Sequence, residues 1–409
     1  MQQVISGAML ALKLVSAYFL IVALFALKKP KPIPRANPKT RFACVIAARN
    51  EERVIGELVQ SLLQQNYPKT LFDIYVMPNN CTDHTALAAI RAGAAILKPR
   101  GEVRCKGDAL HEAFETLLRK DYDAFCVFDA DNIADEQFLA RMNDAFCAGA
   151  QVCKGAMRAK NPYDSWLSGC YGLYFTLFDT FFSRARMSCG LSSKLVGTGF
   201  AVHRAVLERF GGWNTSTIAE DAEFAAQCAA NGVRVCFVPG ALTYDEAPND
   251  FAVSLRQRRR WCSGIMDVAV RMDAPLVSAL RGSAPLRALD ALLIVNAPFL
   301  QALTLLPLTL TILSSLVQGT AGTLALTGAV SLTLSTLGLM ALAALLAYLG
   351  GYRDRRVVRT VAGFPLFMAA WLPLQLVSLV SRTRSWQPIA HTRAVRAENL
   401  HDAGFLTTI

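Results

Sequence analysis

Four stretches of this chain, residues 6–27, 287–316, 322–350 and 361–381, carry almost no ionisable side chains. Each reaches the roughly 20 apolar residues that cross a bilayer. The water-facing domain must then lie between the first stretch and the second. About 260 residues there suffice for one α/β domain with a sizeable core, or for two small ones. Composition agrees: 53% of residues are hydrophobic and 18% are charged, against about 25% charged in a typical soluble domain. Disorder, a collagen-like rod and a small disulfide scaffold are excluded. Residues 6–27 exceed a signal-peptide core and no small-x-small cleavage site precedes the basic segment, so a retained membrane anchor over 1–27 is expected.

Charge sets the expected orientation. Residues 28–41, KKPKPIPRANPKTR, hold six basic residues, no acidic ones and four prolines that keep the backbone extended. By the positive-inside rule this linker faces the cytosol. The joint at 317–321 is uncharged, whereas GGYRDRRVVRT at 350–360 has four Arg and one Asp. Both fit a multi-pass protein of the cell membrane with a cytosolic central domain. Counting four crossings puts the Arg-rich tail outside, while Pro365 and Pro373 allow the last stretch to turn back, so the side of the tail stays open. The net charge of +11, from 42 Lys and Arg against 31 Asp and Glu, is assigned to flanks lying on membrane lipids and not to nucleic acid. Eleven cysteines, none in a C-x-x-C pair, read as reduced thiols.

In the central domain short apolar runs alternate with helix-length segments. Strands are predicted at 41–47, 72–77, 124–128 and 233–238, and helices at 51–65, 83–92, 106–119, 135–146 and 220–231. The alternation implies an α/β fold with a mainly parallel sheet between helices. In such sheets ligands bind beyond the carboxyl ends of the strands.

That rim is where the chemistry-bearing residues fall. Asp129 and Asp131 follow a buried strand one residue apart, so both can face one hard divalent cation, although a turn with two solvated carboxylates has the same pattern. Glu220, Asp221 and Glu223 open a predicted helix, where acidic residues also simply favour the macrodipole. Arg258, Arg259 and Arg260 beside Trp261 fit a lipid-facing basic patch and a diphosphate clamp equally well. Arg49 to Glu51, Asn79 to Asp83 and Lys106 to Asp108 each suit a turn or a cap, and gain weight only from their common position.

Together, AARNEE, NNCTD, KGDAL, DAD, GTGF, AED and QRRRW occur in the order found in family-2 inverting glycosyltransferases of the GT-A fold. The chain resembles their membrane-embedded branch, which includes hyaluronan, chitin, cellulose and poly-N-acetylglucosamine synthases. The resemblance implies a Rossmann-like GT-A domain flanked by transmembrane helices. It places Glu51 and Asn79 around uracil, and Lys106 and Asp129 near the nucleotide sugar. Asp131 would hold Mg²⁺ or Mn²⁺ on the diphosphate, Asp221 would be the general base, and Glu220 would support it. Gln257, Arg260 and Trp261 would meet the diphosphate and the acceptor sugar. The family's usual Asp is Asn79 here, which still accepts from the uracil imide but carries no charge.

The expected divisions are an N-terminal transmembrane helix (1–27), a basic linker (28–41), the GT-A domain (42–261), an amphipathic interfacial segment (262–284), a membrane region of two to three spanning helices (285–382) and a basic tail (383–409). The expected activity is transfer from a UDP-sugar, UDP-N-acetylglucosamine being one candidate, to a growing cell-surface polysaccharide. Transfer to a membrane lipid is the alternative, and a non-catalytic scaffold a more remote one. So few helices suggest a second copy or an accessory partner if a polymer is translocated.

Overall fold

The computed structural model describes residues 2–383. Segments such as FACVIAA are apolar on both faces, which suits a strand covered on both sides. Eight strands form one sheet: β1 (Phe42–Ala48), β2 (Phe72–Pro78), β3 (Ala95–Ile96), β4 (Ala124–Asp129), β5 (Ile133–Ala134), β6 (Val152–Ala159), β7 (Phe200–His203) and β8 (Val235–Asp245), in the order β3-β2-β1-β4-β7-β6-β8-β5. The pairs β1·β2, β1·β4, β2·β3 and β6·β8 are parallel, and β7 runs antiparallel between β4 and β6. One apolar core lies on each face, around Phe42, Ile46, Phe128 and Phe138 on one side and Phe114, Phe125, Phe200 and Trp213 on the other.

Register then positions the site. Ala48 pairs with Pro78 and Ala47 with Asp129, so three strands end at one rim. The first predicted helix starts only at Ile55, because the preceding turn is held otherwise: Glu51 N–H donates to Thr85 Oγ1 at 2.8 Å, and His84 N–H to Glu52 Oε2 at 3.0 Å. Sequence periodicity passed over β6, β7 and the helix Trp166–Leu177, which continues into a π-helix, Phe178–Arg184. The last predicted strand runs on to Asp245, past an irregularity opposite Gly155/Ala156.

Among the described residues four helices are long and apolar enough to cross a membrane: Met9–Leu27, Ala297–Val317, Ala321–Leu349 and Val357–Val380. The apolar stretch 287–316 is not one helix. Pro285–Val295 packs beside Glu220–Ala230 and Phe251–Ala279, with buried Asp290 gripped by Arg186 at 2.9 Å. Breaks follow Leu303 and Ala369, four residues before Pro307 and Pro373. A proline ring crowds the carbonyl four residues back and supplies no N–H. The tail from residue 384, and so the question of its side, lies outside the described residues.

Candidate active site

The ten residues expected to carry the chemistry line one cavity of ≈ 330 Å³ at the strand rim. At its first end the left-handed turn at Asn50 (φ 58°) follows β1 and sends Arg49 across to the next strand. Arg49 Nε and Nη2 donate to the backbone oxygen and Oδ1 of Asn79, at 3.1 and 3.0 Å. Asn79 is buried, and the amide oxygen expected to be open to uracil already accepts from Arg49. Glu51 is buried beside it.

Lys106 opens the helix Lys106–Leu117 and reaches three acceptors. Its Nζ lies 2.5 Å from Asp129 Oδ1, 2.5 Å from the Gly197 carbonyl and 3.6 Å from Glu220 Oε1. Burial alone would lower its pKa, but the charges of Asp129 and Glu220 outweigh burial and hold it above the usual lysine range. Glu220 moves the other way: burial pushes its carboxyl up to about 7 against the pull of Lys106.

Asp221, next in the same helix, is oriented by two amides. Gly197 N–H donates to Oδ2 at 2.5 Å and Ala222 N–H to Oδ1 at 2.7 Å. The GTGF segment makes this approach possible. Gly197 sits at φ +30°, and a Cβ on Gly199, at φ +63°, would meet Thr243 Oγ1 at 2.7 Å.

The QRRRW segment lies within the 29-residue helix Phe251–Ala279. At 100° per residue its three arginines diverge, so the lipid-facing patch does not form. Fully buried Arg258 donates to the Phe367 carbonyl at 2.6 Å and lies 4.3 Å over that ring. Arg259 donates to the Ser381 carbonyl at 3.0 Å. Only Arg260 turns to the cavity. Gln257 Oε1 accepts from Tyr171 Oη at 2.9 Å, and Trp261 stacks at 6.2 Å on Trp371 from the last apolar helix pair.

Residues that the sequence did not single out complete the wall: Lys154, Tyr174, Phe178, Asp179, Lys194 and Trp371. Tyr174 stacks on Trp371 at 5.6 Å. Burial raises Asp179 to about 6 even though Arg158 lies at 3.3 Å, and burial lowers Lys154 to about 8. Faint signals existed: a lysine inside the apolar run VCKGA, and the aromatic-rich LYFTLFDTFF. Among the described residues no three His, Cys, Asp or Glu side chains cluster at metal-ligand spacing. Asp129 and Asp131 do share the cavity. Two carboxylates fit a hard dication whose other positions are filled by diphosphate and water.

Comparison with known proteins agrees with this arrangement. The family described as Glycosyltransferase like family 2 matches residues 38–264. The chain is 29% identical over 246 residues to a probable glycosyltransferase, YdaM, of Bacillus subtilis, a match covering 57% of each protein. It is 28% identical over 242 residues to a beta-monoglucosyldiacylglycerol synthase of Synechocystis, covering 56% of this chain and 48% of that one. The chain thus spans about half the length of the curated relatives it matches. Its fold superposes on mannosyltransferase PcManGT from Pyrobaculum calidifontis, solved with GDP-Man and Mn²⁺, at a TM-score of 0.61 and 20% identity, covering 92% of this chain and 99% of that one. A family match over more than half of the sequence, on a mixed sheet whose rim gathers these side chains, means that the chain belongs to glycosyltransferase family 2 and has the GT-A fold.

Proposed function

We propose that the protein transfers a sugar from a UDP-sugar to a hydroxyl group of an acceptor presented from the membrane, with inversion at the anomeric carbon. The observation that carries this reading is the shared cavity. Lys106, Asp129, Asp131 and Asp221 line it together with an aromatic wall of Tyr174, Phe178, Trp261 and Trp371, the last from a helix apolar enough to span a bilayer. Glu51 and Asn79 face the nucleotide base. Asp129 and Asp131 would hold Mg²⁺ or Mn²⁺, which when bound neutralises diphosphate charge and eases departure of UDP.

Asp221 is the general base. As the acceptor oxygen bonds to the anomeric carbon, its proton passes to Asp221, and the carbon–oxygen bond to the diphosphate breaks with its electron pair leaving on UDP. The Gly197 and Ala222 amides aim the carboxylate, and Glu220 holds Lys106 beside the donor. Arg260 and Lys106 meet the charge that develops on the leaving group.

The acceptor is a membrane lipid in this reading, with the catalytic domain cytosolic and the apolar helices embedded in the cell membrane. Support comes from the wall itself: Pro298, Trp371 and Gln375 belong to helices long and apolar enough to span a bilayer. The likeness to a beta-monoglucosyldiacylglycerol synthase points the same way. One observation favours a growing polysaccharide instead: Tyr174, Trp371 and Trp261 form a stacked run suited to sugar rings.

The test is UDP release by detergent-solubilised protein with Mn²⁺ or Mg²⁺, screening UDP-N-acetylglucosamine, UDP-glucose, UDP-galactose and UDP-glucuronate, with labelled product partitioned into chloroform. Chloroform-soluble label is the expected result. Long water-soluble label would establish the polysaccharide reading, and no metal-dependent release from any donor, with membrane lipid and oligosaccharide both supplied as acceptors, would overturn both.

A further inference from the structure

The cavity wall holds a cation that the donor does not require. Lys194 lies just before the GTGF turn and lines the cavity, with its Nζ 5.2 Å from the centre of the Phe178 ring. It has no carboxylate within 4 Å among the described residues, and Asp290, Asp179 and Asp221 have partners of their own. Asp290 is gripped by Arg186 Nε and Nη2 at 2.9 and 3.0 Å and accepts from Tyr18 Oη at 2.9 Å. Asp179 is held by Arg158 at 3.3 Å and by the Met157 amide at 3.1 Å. Asp221 accepts from Gly197 N–H. Lys154, the other lysine on this side, donates to the Gly155 carbonyl at 2.7 Å.

An ammonium half-buried in a cavity wall and left without a counter-charge is unfavourable, and a π-face compensates only in part. The imbalance disappears when an anion enters. Lys194 lies beside Phe178 of the π-helix and within the field of Asp221, the proposed base, so it stands where the acceptor hydroxyl would sit, while Lys106 and Arg260 are the cations assigned to the donor diphosphate. Burial pushes the Lys194 pKa down, with Asp221 as the main favourable charge, consistent with a site awaiting a counter-ion.

We propose that the acceptor is itself anionic, carrying a phosphate close to the hydroxyl that is glycosylated, and that Lys194 against Phe178 recognises this phosphate. The inference rests on the glycosyl-transfer reading above and adds the chemical class of its acceptor. A phospholipid headgroup and a soluble phosphorylated polyol share that chemistry.

The experiment compares three acceptors with full-length protein in nanodiscs and the active UDP-sugar: phosphatidylglycerol in the disc, diacylglycerol in the disc, and soluble sn-glycerol 3-phosphate. UDP release with total native-membrane extract as acceptor is recorded first; its absence refutes glycosyl transfer itself and is read separately. The expected result is kcat/KM for phosphatidylglycerol or glycerol 3-phosphate at least tenfold above that for diacylglycerol. The phosphatidylglycerol arm identifies a lipid source and the glycerol phosphate arm a soluble one. In Lys194→Met this preference falls to near unity, mainly through acceptor KM, and in Lys194→Arg it persists. A preference for diacylglycerol, no use of either phosphate acceptor, or a Lys194→Met variant that loses activity equally on all acceptors would overturn the proposal.

Discussion

The two ends of the cavity are built on different principles. At the strand rim polar groups are knitted together: Arg49 to Asn79, Lys106 to Asp129 and Glu220, and the Gly197 amide to Asp221. The aromatic wall is held by packing, with Tyr174, Trp371 and Trp261 stacked and Lys194 meeting a ring and no carboxylate. Fixed dipoles and charges need no reorganisation when a charged donor reacts, so the rim is organised before the donor arrives. An aromatic wall gives area and shape but little directional bonding, so on the proposed reading the other end would select its acceptor by contour and one charge.

If the rim is electrostatic machinery, replacing one oxygen there should affect rate and not donor binding. Asp221→Asn keeps the shape and loses the proposed base. Transfer should fall about 10³-fold in kcat, with UDP-sugar Kd by calorimetry within about twofold of wild type. Unchanged turnover would remove Asp221 from the chemistry and dissolve the distinction. The aromatic end should respond in the complementary way. Trp371→Leu removes the centre of the stack, and acceptor kcat/KM should drop about 10- to 100-fold while donor Kd stays put. A donor defect of equal size would mean that the ends are not separable.

A smaller effect probes the boundary between them, where Lys154 is buried with its pKa lowered from 10.5 to about 8. Because the folded pKa lies below the unfolded one, the unfavourable contribution is fully present below pH 8 and fades as pH rises from about 8 to 10.5. Lys154→Met should therefore stabilise the protein by about 1–3 kcal/mol near pH 7, and the gain should vanish by about pH 10.5. Chemical denaturation across that range measures it. A pH-independent difference would mean that Lys154 is solvated.

Strong local patterning made the rim legible in the sequence. DAD ends an apolar strand, and AED and KGDAL each open a helix, so each motif carries its own structural address. The strand that separates β4 from β6 was not legible. Four residues, FAVH, have too short a period to register, and their antiparallel pairing is a long-range choice. The arginine triplet misled for a related reason: composition says where charge is, while helix rotation decides which arginine meets lipid, core or cavity.

The sequence by itself determined the alternation of strands and helices, the four apolar segments and the acidic and basic residues at the strand rim. Each of these depends on neighbours within a few turns of chain. Tertiary structure alone decided that Arg49 occupies Asn79, that Trp371 joins Tyr174 and Trp261, and that Lys194 is left without a carboxylate. Those outcomes depend on which distant side chains reach a group first, and packing density and charge pairing in a folded interior settle that competition.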